Sequence, residues 1–180
     1  MAQLDDHGRP EPPLAAPEAE TLLGFLDFQR ATLGWKARGL DDTQLRTTTA
    51  ASSLTIGALL SHLAWVEDRW FGRALHGLPP APPWDGPEFA QDPRWEITSA
   101  QQRTGAELRR LWSDAVDRSR ELTDRALADA GMDRLSVEVD DWSEQRWSLR
   151  WIVTHMIEEY ARHNGHADLL REAIDGQTGE

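Results

Sequence analysis

Apolar residues recur at helical spacing in four long stretches of this 180-residue chain, and only one short run, Leu135 to Val139, alternates as a strand would. Pro17 and Glu18 open the first helix, Leu22, Leu23, Leu26, Leu33 and Trp35 follow, and Gly39 stops it. Asp41 to Leu45 predicts a helical turn before a Thr-rich connector. A second helix starts at Thr55 and continues to about Leu75, with Ile56, Leu59, Leu60, Leu63, Val66 and Trp70 along it. Thr98 or Ser99 is expected to cap a third, which reaches Ala130 and ends at Gly131. Ser148 caps the last, which runs to about Ile174 with Gly176 behind it.

Gly77 to Pro93 contains Pro79-Pro80-Ala81-Pro82-Pro83 and cannot be regular helix, so an extended loop is expected there, long enough to act as a cover. A second, acidic connector spans Met132 to Arg146. These elements predict an all-α four-helix bundle with long loops between helices two and three and between three and four. Residues 1–16, polar and carrying Pro10, Pro12 and Pro13, are expected as a flexible arm before a single domain at 17–176.

The net charge of −12 argues against nucleic acid, whose phosphates demand a basic patch, and against anionic lipid surfaces. No apolar run approaches the roughly 20 residues of a membrane span. Met1 to Glu20 lacks the basic and apolar regions of a secretory signal, so the expected address is the cytoplasm. The chain has no cysteine, so it forms no disulfide and has no thiol nucleophile of its own. Nine tryptophans accompany a single tyrosine; several would suit a pocket wall, although core packing is the commoner use of large aromatics.

The last helix breaks its own pattern. With Ile152 at zero and about 100° per residue, Met156, Ala167, Leu170 and Ile174 fall within roughly 60° and define a buried stripe. His155, Glu159, His163 and His166 fall in the same arc, whereas Arg150, Thr154, Ala161, Asp168 and Glu172 lie opposite. An unpartnered buried carboxylate costs several kcal/mol. One divalent cation would compensate the carboxylate and the imidazole lone pairs together. Glu159 and His163, four apart, project from adjacent turns toward a common point. A single Glu–His pair at this spacing is more often an ordinary hydrogen-bonded pair; three histidines and a glutamate on one stripe reverse that preference.

A third ligand should come from another helix. His7 lies in the arm and His76 at a helix end beside Gly77, which leaves His62, mid-helix and next to the apolar stripe, as the natural partner. A lone helical histidine is otherwise more often structural. Two histidines and a carboxylate leave coordination positions open, as catalytic sites do. Zinc suits such a set, and so do Fe(II), Ni(II) and Co(II).

The block His155-Met156-Ile157-Glu158-Glu159-Tyr160-Ala161-Arg162-His163-Asn164-Gly165-His166-Ala167-Asp168-Leu169-Leu170-Arg171-Glu172 resembles the last-helix motif of the DinB-like metalloprotein superfamily. Within it, the block resembles an actinobacterial subgroup catalogued as a domain of unknown function. Leu60-Ser61-His62-Leu63-Ala64-Trp65-Val66-Glu67 is similar to that superfamily's second-helix signature, and the resemblance covers residues 18 to 176. It implies a four-helix bundle, commonly a homodimer, with a metal held by His62, Glu159 and His163. Many members have His where Glu159 stands. The Glu form resembles mycothiol-dependent maleylpyruvate isomerase, whose extra C-terminal domain is not expected in this protein; other relatives are thiol S-transferases using mycothiol or bacillithiol.

The expected function is therefore metal-dependent S-transfer from a small thiol such as mycothiol to a small electrophile. Metal-dependent hydrolysis at the same site, or a non-catalytic metal- or small-ligand-binding stress protein, are the alternatives. Glu158, Tyr160 and His166 are candidates for proton movement or ligand orientation, with Glu158 equally a surface charge. A di-iron bundle is disfavoured: it needs Glu-x-x-His pairs, and Arg162 stands three residues after Glu159.

Overall fold

The computed structural model describes residues 3–49, 52–92 and 94–178. Among them all regular structure is helical, and β pairing is limited to isolated bridges such as Leu135 with Ser148. No helix of the described residues is long and apolar enough to cross a membrane. The chain forms two compact units, Met1–Leu59 with Val153–Glu180, and Leu60–Ile152.

The first unit contains α1 (Glu18–Ala37), α2 (Asp42–Leu45), the start of α3 (Ile56–Glu67) and most of α7 (Leu149–Asp175). Asp41 caps α2 through a reciprocal pair in which its carboxylate accepts from the Gln44 N–H and the Gln44 side chain accepts from the Asp41 N–H. Leu26, Leu33, Leu45, Ile56, Leu59, Met156 and Tyr160 are fully buried. The last carbonyls of α1 have no partner within the helix. The Arg171 guanidinium of α7 meets that need by donating to the Lys36 and Arg38 carbonyls at 2.7 and 3.0 Å.

Residues 1 and 2 of the expected arm lie outside the described residues. Beyond them, Arg9 sits 4.5 Å above the Phe28 ring and 2.6 Å from Asp5, and His7 stacks on Trp35. Pro12 and Pro13 press so closely on Gly24 that a Cβ there would lie 2.6 Å from Pro13 Cδ, which is why α1 carries a glycine at that point.

In the second unit α3 does not run on as α-helix to Leu75. After Glu67 it widens into a π-helical segment, Asp68–Leu75. α4 (Pro87–Gln91), α5 (Trp95–Thr98) and a 3₁₀ turn at Ser99–Gln102 follow, then α6 (Gly105–Ala130). The expected start of the third long helix is thus corrected: Thr98 and Ser99 belong to the preceding short turns. Arg103 is extended, and Thr104 caps α6 with its hydroxyl on the Glu107 N–H while the Glu107 carboxylate accepts from the Thr104 N–H. Gly131, at φ +63°, ends it as expected.

α6 is pinned to the π segment by Arg118, which donates to Asp68 at 2.9 Å. The proline-rich stretch folds in part into α4, with α5 just after it, rather than staying extended throughout. It buries Trp84 edge-on against Phe89 and Trp95. The acidic connector doubles back on itself, with the Ser136 N–H donating to the Trp147 carbonyl, and the Val137 N–H donating to Ala74 of the π segment.

Candidate metal centre

Burial along α7 follows the helical period, but the buried arc is centred about 60° away from Ile152, toward Val153, Tyr160, Asn164 and Arg171. The four ionisable residues therefore lie on its flank. His163 and Glu159 lie nearest its centre. The His163 side chain is 14% exposed and Glu159 22% exposed, both well sunk. His155 is 27% exposed and pairs with Glu158 at 3.7 Å. His166, expected in the buried stripe, is exposed.

Glu159 and His163 face each other from successive turns, with Oε1 3.5 Å from Nε2. On its other side the His163 ring meets His166, Nδ1 to Nδ1 at 3.3 Å. Desolvation first, then the neighbouring His163 and Arg162, hold the His166 imidazole below its ordinary value of 6.5, so it is largely uncharged at neutral pH. Glu158 is a surface carboxylate shared with Arg162, and Tyr160 is fully buried.

His62, on α3, is 16% exposed at its side chain, with Nδ1 3.8 Å from Oε1 of Glu96 on α5. Its ring lies 5.9 Å from that of Trp65 one turn later, and Trp65 in turn meets Phe89 of α4. α4 and α5 thus cover the His62 side of α3. Sequence reasoning missed Glu96. It stands between two apolar residues, Trp95 and Ile97, in the short gap between the expected loop and the expected helix cap, and nothing in its spacing links it to His62.

His62, Glu159 and His163 each offer one ligand atom, and these atoms all lie within 4.8 Å of one another. The donor set fits a divalent cation of the zinc, iron, nickel or cobalt type: two borderline nitrogen donors, one hard anionic oxygen and no soft sulfur.

A family model described as mycothiol-S-transferase matches residues 21–176, nearly the whole chain. No curated protein sequence matches it.

Proposed function

Because the chain belongs to the mycothiol-S-transferase family, we propose that it joins a small thiol, through its sulfur, to a small electrophile, at a divalent metal held by His62, Glu159 and His163. The observation that carries the metal dependence is the convergence of three ligand atoms within 4.8 Å on side chains of low exposure. The thiol has to come from outside, since the chain has no cysteine.

A bound dication would supply Lewis acidity, lowering the pKa of a thiol beside it so that thiolate prevails at neutral pH. A thiol of pKa about 8.5 is only about 3% ionised at pH 7, so full ionisation raises the thiolate fraction by up to about thirtyfold. Part of that gain is offset because nucleophilicity falls with basicity. Glu159 and His163, locked in contact on one rigid helix, fix two donors with little freedom left to lose. The thiol proton passes to solvent, a carbon–sulfur bond forms, and the leaving group departs with its electron pair.

The test combines purified protein, mycothiol and an electrophilic aryl halide, with and without a strong chelator. Thioether product that requires both protein and thiol, and disappears on chelation, is the expected result. Phenolic product formed without thiol would mean hydrolysis, and tight metal binding with neither product would mean a binding protein.

A further inference from the structure

We propose that Glu96 is a positioning residue for the metal ligand His62. The inference rests on the reading of His62 as a ligand and concerns the second unit alone, which contains both residues. Glu96 is buried, and among the described residues its Oε2 has no hydrogen-bond partner. Its Oε1 lies 3.8 Å from His62 Nδ1, and no lysine or arginine pairs with it among those residues.

A buried carboxylate left without a cation or a full set of donors is destabilising, so its presence calls for compensation. An imidazole that binds a cation through one nitrogen becomes a stronger acid and a stronger donor at the other. Metal-ligating histidines accordingly hand their second N–H to a carboxylate, a backbone carbonyl or water, which sets the tautomer and aims the ring. Glu96 faces Nδ1. At 3.8 Å the two atoms are not hydrogen-bonded, but the carboxylate charge beside Nδ1 favours the tautomer protonated there, which leaves the Nε2 lone pair for the cation. α5 contributes Glu96, so the stretch after the prolines serves the site and does more than cover it.

The test titrates Co(II) into metal-stripped full-length protein, follows the visible ligand-field bands, and obtains affinity by chelator competition. Glu96→Gln keeps the shape and removes the charge. It is expected to weaken Co(II) binding between about tenfold and a hundredfold, with the melting temperature of the metal-free protein unchanged or raised. Glu96→Asp, which keeps the charge on a shorter arm, is expected to recover part of the affinity. Equal affinity in wild type and Glu96→Gln would overturn the proposal. So would a loss that tracks an equal drop in metal-free stability, or an Asp variant no better than Gln. Failure of the wild type itself to bind Co(II) would instead defeat the metal reading, and this inference with it.

Discussion

Each of the two ionisable pairs with a member on α7 that matter most has one partner deeper than the other, and this asymmetry decides what a substitution does. In the candidate centre His163 is the more buried member, and His163→Ala is expected to abolish metal retention while leaving the helix intact. Elemental analysis of protein purified without chelator, beside far-ultraviolet circular dichroism, checks this; near-stoichiometric metal persisting in the variant would refute the ligand assignment. The second pair is structural. Lys36 is 1% exposed and reaches Asp168 at 2.7 Å, whereas Asp168 is 39% exposed. Asp168→Ala takes the nearest carboxylate from a buried ammonium and leaves it, among the described residues, the Thr178 carbonyl, the Trp35 ring and the charge of Asp175; it is expected to cost about 3 kcal/mol. Lys36→Met leaves a carboxylate that water can reach and should cost only about 1 kcal/mol. Urea melts of the two variants give the order, and a reversed order would contradict the burial argument. Glu159 and His163 were legible in the sequence because polar groups on an apolar stripe break a simple period. The exposure of His166 was not: a stripe defined by aliphatic residues alone omits Tyr160, Asn164 and Arg171, whose burial shifts the centre of the arc.

Helices were legible as elements wherever a glycine or a capping hydroxyl stood at the end of a long apolar period, as at Gly131, Ser148 and Gly176. Two boundaries were not. Thr98 and Ser99 are plausible caps by residue type, but Thr104 carries the glutamate three residues on that closes the reciprocal cap. The change from α to π geometry after Glu67 leaves no mark in residue type, because Trp70, Phe71, Ala74 and Leu75 fit either winding. The Thr104 cap makes a prediction at this scale. Hydrogen bonds from the Thr104 backbone and hydroxyl hold the Glu107 carboxyl below its ordinary value of 4.5. The folded state therefore binds this proton more weakly than the unfolded chain. The cap's contribution is present above pH 4.5 and is lost as the pH falls through the lower folded value. Thr104→Ala is expected to lose about 1 kcal/mol at pH 7, and the difference from wild type should shrink as the solution is acidified. Chemical denaturation at neutral and acid pH measures it; a pH-independent difference would show that the carboxylate takes no part.

For the molecule as a whole, the all-α class follows from four long helical periods against a single short alternating run, Leu135 to Val139, and an acidic chain with no cysteine already requires any thiol to be supplied from outside. What the pattern could not convey is which side chains from distant segments meet, since periodicity orients a residue on its own helix and says nothing of its neighbours across space. That is where metal linkage becomes a global measurement. A ligand that binds only the folded state stabilises it by RT ln(1 + [L]/Kd), or about 2.7 kcal/mol at a hundredfold excess over Kd. For a chain of this size each kcal/mol raises the melting temperature by about 2–4 °C, so adding zinc to stripped protein should raise it by roughly 5–10 °C. The shift should grow with the logarithm of zinc concentration, reverse on chelation, and vanish in His163→Ala. Adventitious binding to the many exposed carboxylates of a −12 chain would behave differently, because those groups are equally available after unfolding and hold zinc in both states. A zinc-dependent shift that survives in His163→Ala would place the cation elsewhere.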